Sequence, residues 1–315
     1  MIKIIQNQSE IGAGTRGAGL GIGALKVVSQ TNEDYFFGKY DCTNIQNENS
    51  LLDSKTVFPF AKRIDGIVKV YERTMDRISA VLKTGDFPLV LSGDHSCAGG
   101  TIAGIKKAYP NKRLGVVWID AHADLHTPYT TPSGNVHGMP LATALGVNNE
   151  DFKINEVDDQ TAKHWDTLKT MGGISHKINA EDLIFISVRD TETPEDKFIQ
   201  KNNIKNFTVQ EVREKTQEVV AAEIENRLED CDIIYISFDV DSMDSILVSK
   251  GTGTPVENGL TPSEANFFVN YFAACSKVNC IEFVEINPCL DNKINTMAET
   301  AYEILITTAK IIDKR

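Results

Sequence analysis

A chain of 315 residues with 41% hydrophobic content is long enough to bury a core without covalent or metal staples. Its formal net charge of −12 repels phosphates, which excludes nucleic acid or an anionic membrane as main partner and leaves a small cationic ligand acceptable. No run of eighteen apolar residues occurs, and the opening MIKIIQNQSE lacks the basic and apolar parts of a signal peptide, so the cytoplasm is the expected compartment.

The first predicted strand covers residues 1–5. It is followed by Gly12-Ala13-Gly14-Thr15-Arg16-Gly17, which satisfies G-x-G-x-x-G and has Glu33 near the distance of a ribose-binding acid. That would mean a nicotinamide- or flavin-dependent oxidoreductase, but the fingerprint needs a glycine directly after the strand, and several polar residues intervene. The preferred reading is a glycine-rich loop that lets backbone pass close to a site or a helix.

Apolar residues at three- and four-residue steps from Ile64 to Leu82 predict a helix. Residues 88–91 form a second strand, leading into Ser92-Gly93-Asp94-His95-Ser96, and residues 114–119 a third, leading into Asp120-Ala121-His122-Ala123-Asp124. Residues 146–180 are polar, irregular and long for a connection, which predicts an insertion or a lid. Further strands are expected at 183–188, 233–238 and 281–286, the fifth running into Asp239-Val240-Asp241. Helical spacing returns at 219–228 and at 298–312.

Strands rich in β-branched residues alternating with helices predict an α/β fold of one domain over residues 1–315, with buried parallel strands and helices on both faces. The six cysteines, Cys42, Cys97, Cys231, Cys275, Cys280 and Cys289, contain no C-x-x-C pair and read as reduced thiols.

Three strands thus end in residues that ligate metals. Ligands of open parallel sheets bind beyond the carboxyl ends of the strands, so these residues are expected in one crevice. Asp120, His122 and Asp124 share one side of an extended segment, as do Asp239 and Asp241. With His95 the set offers four carboxylates and two imidazoles, a hard oxygen and nitrogen mixture suited to Mn²⁺. Four adjacent carboxylates repel one another, and two divalent ions would neutralise them and acidify a water held between them. Singly, an Asp-x-Asp is more often a turn or cap and a buried histidine a core residue. Yet four of the six histidines, His95, His122, His126 and His137, fall within a short span.

These three motifs resemble the metal-binding signatures of the ureohydrolase family, which comprises arginases, agmatinases and formiminoglutamases, and the resemblance covers roughly residues 88–290. It implies a three-layer α/β/α sandwich with a mainly parallel sheet. One Mn²⁺ would be held by His95, Asp120, Asp124 and Asp239, the other by Asp120, His122, Asp239 and Asp241.

Residues 127–140 resemble the arginase form of the substrate loop, in which Ser133 and Asn135 would bind an α-carboxylate. Asp190 and Glu192 would receive the α-amino group, Thr254 would line the pocket, and His126 stands where arginases commonly carry Asn. Glu285 would pair with the guanidinium and His137 would shuttle protons, so His137, Asp124 and Glu285 form the candidate catalytic group. The implied reaction cleaves L-arginine to urea and L-ornithine, in a homo-oligomer of three or six chains. Agmatinase, guanidinobutyrase and formiminoglutamase activities are alternatives within the family, and a non-catalytic metal-binding member is an alternative of another class.

Overall fold

The computed structural model describes residues 1–315. Eight strands, β1 (Ile2–Asn7), β2 (Asp41–Ile45), β3 (Phe87–Ser92), β4 (Leu114–Ile119), β5 (Leu183–Ile186), β6 (Lys205–Phe207), β7 (Ile233–Asp239) and β8 (Val278–Val284), form one sheet. Its order is β2-β1-β3-β8-β7-β4-β5-β6, and every pairing is parallel.

Parallel strands covered on both faces need apolar side chains at every position rather than at alternate ones. Strand β4, Leu-Gly-Val-Val-Trp-Ile, is buried throughout. Its Val117 and Ile119 pack into one core with Ile234, Ile236 and Phe238 of β7, while Val116 and Trp118 pack with Tyr235 into the core on the opposite face. Helices Gly21–Thr31, Gln217–Arg227, Pro262–Ala274 and Thr296–Ile312 close the first face. Helices Ile64–Lys83 and Ala98–Ala108 lie on the second. The result is the expected three layers.

The edge strands β2 and β6 were not foreseen. Asp-Cys-Thr-Asn-Ile and Lys-Asn-Phe are short and half-exposed, so they lack the apolar run that marks a central strand. Two other strands end earlier than their hydrophobicity predicts. β5 stops at Ile186 because Ser187 turns to φ 71°, and β8 stops at Val284 because Glu285 turns to φ 64°. The polar segment 146–180 is largely built. Its helix Asp159–Lys169 is capped by Asp158, whose carboxylate accepts from the Gln160 and Thr161 amides, and it buries Trp165 and Leu168 against the helix Ile64–Lys83. No residue of this segment lines the pocket described below, but Asn155 braces the loop beside it, donating to the Pro128 and Thr131 carbonyls at 3.0 and 2.7 Å.

Candidate active site

Strands β3, β8, β7, β4 and β5 are consecutive in the sheet, so the residues after their carboxyl ends emerge side by side. His95 follows β3, Glu285 follows β8, and Asp239 and Asp241 close β7. Asp120, His122 and Asp124 follow β4, and Asp190 follows β5. The Glu285 amide donates to the Gly93 carbonyl at 2.8 Å and so ties two of these ends together.

His95 is the centre of the cluster. Its Nε2 meets Ser237 Oγ at 2.7 Å and its ring stacks on Trp118 at 4.0 Å, which fixes the imidazole and turns Nδ1 toward the acids. Nδ1 lies 3.0 Å from Asp120 Oδ2, 3.1 Å from Asp124 Oδ2 and 3.1 Å from Asp239 Oδ2. Beside it, His122 Nδ1 lies 3.0 Å from Asp241 Oδ2 and 3.5 Å from Asp120 Oδ1. Ligand atoms of His95, Asp120 and Asp239 fall within 4.8 Å of one another, as do those of Asp120, His122 and Asp241, and Asp120 belongs to both groups.

The titration behaviour follows from this crowding. Burial pushes Asp239 well above the ordinary carboxylate range, reinforced by Asp241 and Asp120. Burial also raises Asp124, with help from Asp120, and Asp241 shifts upward for the same first reason. Asp120 goes the other way, because His122 and His95 overcome its burial.

The donor set fits a divalent cation. His95 Nδ1 and Asp120 Oδ2 are buried and have no hydrogen-bond partner, although they lie 3.0 Å apart. A buried polar atom without a partner is costly, and two such atoms converging on one point are satisfied by a common ion.

Above the cluster opens a pocket of ≈ 270 Å³ whose sixteen lining residues are all polar, charged or proline. Glu285 is buried beneath two of these residues, His95 and His137, and does not itself line the pocket. Its Oε1 accepts from the His95 amide at 2.9 Å and lies 3.4 Å from His137 Nδ1, while its buried Oε2 has no partner. Burial would lower the His137 pKa, but the Glu285 hydrogen bond and charge raise it above the usual imidazole value. Thr254 lines the pocket and donates to Asp241 Oδ2 at 3.2 Å.

The far side of the pocket is built by residues 126–137. Gly134 has φ 75°, and a Cβ there would sit 1.9 Å from the Pro59 carbonyl oxygen, so only glycine lets the loop lie against residues 59–62. The Gly134 carbonyl accepts from the Lys62 amide at 2.7 Å, and Lys62 Nζ donates to Asn135 Oδ1 at 3.0 Å. Ser133 and Asn135 are thereby presented at the rim. Asp190 and Glu192 stand opposite, with side chains 65% and 53% exposed. His126 is buried, hydrogen-bonded to Glu192 through Nε2 and 3.2 Å from Thr130 Oγ1 through Nδ1.

Every candidate residue except Asp120 and Glu285 lines this one opening, and those two are buried against His95. Sequence reasoning missed three neighbours. Glu195 lines the pocket 3.5 Å from His126, and burial lifts its pKa to about 7. Its one signal was its place three residues after Glu192 at a helix start, where the pair forms a capping box. Thr131 also lines the pocket, and Ser237 orients His95. Asp94 of the first motif stays out of the histidine and aspartate cluster, accepting instead from the Gly12 and Ser96 amides at 2.9 Å each. That contact explains the glycine-rich loop: a Cβ on Gly12 would meet Ser96 Oγ at 2.6 Å.

A family model described as "Arginase family" matches residues 8–309. The arginase of Bacillus subtilis (strain 168) is 32% identical over 313 residues, covering 96% of each chain. The arginase of Bacillus caldovelox is 38% identical over 236 residues, 75% of this chain and 73% of that one. A crystal structure of the Bacillus subtilis arginase superposes with a TM-score of 0.83 at 30% identity, covering 100% of this chain and 99% of the other.

Proposed function

This chain belongs to the arginase family, and from that premise we propose that it hydrolyses L-arginine to urea and L-ornithine with two Mn²⁺ ions. It is a hydrolase of the ureohydrolase type acting on a small guanidino compound. The observation that supports arginine within that class is the separation of two kinds of group along one polar pocket. The histidine and aspartate cluster lies at one end, with the carboxylate of Glu285 buried behind His95 and His137, and the hydrogen-bonding loop of Ser133 and Asn135 lies at the other.

His95, Asp120, Asp124 and Asp239 would hold one ion, and Asp120, His122, Asp239 and Asp241 the other. When bound, such ions supply Lewis-acid stabilisation and a water acidic enough to ionise near neutral pH. The protein's own contribution begins with Glu285, whose unpartnered Oε2 is an open acceptor for a guanidinium N–H. Its Oε1 is already held by the His95 amide, so the carboxylate cannot swing away from the cluster. His137 turns Nδ1 to Glu285, which leaves Nε2 to deliver a proton to the departing amine. The polar lining excludes apolar side chains, and the excess of acids favours a cation at the base.

The pairing of His126 with Glu192 favours a second reading. It occupies one of the two acceptors assigned to the α-amino group, which suits a guanidino acid lacking that group, such as 4-guanidinobutyrate. Urea release from L-arginine, agmatine and 4-guanidinobutyrate, each with Mn²⁺, separates these readings. The highest kcat/KM is expected on arginine. A higher value on 4-guanidinobutyrate selects the second reading, and a higher value on agmatine removes the carboxylate-binding role of the loop.

A further inference from the structure

Beside the substrate pocket, and sharing Asn135 with it, lies a second cleft of ≈ 580 Å³ lined by Arg16, Lys55, Lys62 and Arg63. A concentration of four cations is unexpected in a chain with 32 basic and 44 acidic residues. Eleven lysines and arginines elsewhere pair with a carboxylate. None of these four lies within 4.0 Å of one, although Asp53 also borders the cleft.

Three of the four are held in place without being neutralised. Arg16 donates through NH1 to the Ala13 and Glu10 carbonyls at 3.1 and 3.3 Å, and Arg63 donates through Nε to the Leu51 carbonyl at 3.3 Å. Lys62 donates to the amide oxygen of Asn135. Carbonyl anchors fix a side chain but leave its full charge and its other N–H groups available. Arg63 also occupies the N-cap of the 20-residue helix Ile64–Lys83, where the helix dipole favours negative charge. Its pKa is lowered by burial and by the like charge of Arg16, so the two guanidinium groups are close enough to repel. Two anchored guanidiniums that repel each other across a cleft are relieved by an anion between them, and their planar forks suit oxygen pairs.

We propose that Arg16, Lys62 and Arg63 form a binding site for a small oxyanion, a carboxylate or phosphate-like group, contiguous with the substrate pocket. The oxyanion has two possible sources, a free anion or a carboxylate carried by the guanidino substrate itself. Lys62 joins the two sites, since the ammonium that would face the anion also holds the amide of Asn135.

The test uses sulfate titrated calorimetrically into the Mn²⁺-loaded protein at low ionic strength, beside KM values for arginine and agmatine. The variants are Arg16→Gln, Arg63→Gln and their combination, with Lys83→Gln as an exposed cationic control and thermal melts to verify folding. The double variant is expected to bind sulfate at least tenfold more weakly, each single variant less so, and the control as the unmodified protein does. If arginine KM is unchanged, the site serves a free anion. A rise of threefold or more for arginine, with agmatine unaffected, assigns it to the substrate carboxylate. Sulfate affinity equal in the unmodified protein and in the folded single variants overturns the proposal. The sulfate measurement needs no turnover, so failure to release urea from any guanidine would count against the arginine reading alone.

Discussion

Gly134→Ala tests how the rim loop is positioned. The added Cβ would sit 1.9 Å from the Pro59 carbonyl oxygen, and restoring even 3.0 Å requires the two segments to part by 3.0 − 1.9 = 1.1 Å. Both partners are backbone, so no side-chain rotation relieves the contact. The left-handed φ of 75° adds about 1 kcal/mol for a residue with a Cβ. Separation also weakens the 2.7 Å bond from the Lys62 amide to the Gly134 carbonyl, roughly another 1 kcal/mol. Destabilisation of about 2–4 kcal/mol is therefore expected, visible as a lower Tm in a protein that still folds. A displacement of ångström size at a positioning group can reduce rate by ~100-fold. Because Ser133 and Asn135 would face the carboxylate end, arginine KM should rise at least tenfold while agmatine, which has no carboxylate, keeps its KM. Steady-state urea assays on both substrates decide the matter, with Ser133→Ala as a milder companion. Equal losses on the two substrates, or none on arginine in a folded variant, refute the assignment of this loop.

Three further outcomes follow from the site and its surroundings. Asp239→Ala should lose Mn²⁺ by elemental analysis, and chelation of the unmodified protein should lower its Tm. An ion present at a thousandfold over its Kd contributes ~4 kcal/mol, which for a chain of this size is roughly 6 °C; full metal content in the variant contradicts the ligand set. His137→Ala should retain its metal yet turn over at least ~100-fold more slowly, with partial rescue by added imidazole; unchanged turnover without a rescue base rejects the shuttle role. Lys177, buried on the segment 146–180 with its ammonium 2.6 Å from the Lys169 carbonyl, has its pKa lowered by burial from 10.5 to about 8. Between those values the unfolded chain binds more protons than the folded one, so stability rises with pH. The penalty for the buried charge is fully present below pH 8 and is relieved by roughly 3 kcal/mol as pH climbs toward 10.5. Denaturant melts of Lys177→Met against the unmodified protein should show the difference moving in favour of lysine across that window, and a constant difference would falsify the account.

What was legible in the sequence is what a strand's neighbours leave no choice about. Leu114–Ile119 is apolar at every position because helices cover both sheet faces, so its bounds could be read directly. The same holds for the metal motifs, since strand order was unnecessary once each strand was seen to end in Asp or His. What could not be read depends on distant partners. Asp41–Ile45 becomes a strand only because β1 offers it a parallel edge. Trp165 and Leu168 gave the polar segment a buried stripe too narrow to predict a helix packed on Ile64–Lys83. Glu195 caps a helix, but its closeness to His126 arises from a contact across 69 positions of chain, which local sequence does not reveal.

The backbone at the site carries a related point. Asp124, Ser187 and Glu285 are non-glycine residues at φ 51°, 71° and 64°, a conformation that disfavours a Cβ by about 1 kcal/mol each. All three lie just beyond the carboxyl ends of β4, β5 and β8. A strand that continued straight would alternate its side chains between the two apolar cores, and the left-handed residue breaks that alternation. At Asp124 and Glu285 glycine would adopt the turn without strain but could offer no carboxylate, so a position that must both turn and present one has to accept the strain. Its persistence at Glu285 requires surroundings that over-determine the turn, and the bond from its own amide to Gly93 together with that from the His95 amide to its Oε1 supplies them. The strained turn at Glu285 and the position of His95 are thus tied by the same two hydrogen bonds, which fixes the distance between this carboxylate and the histidine at the centre of the cluster.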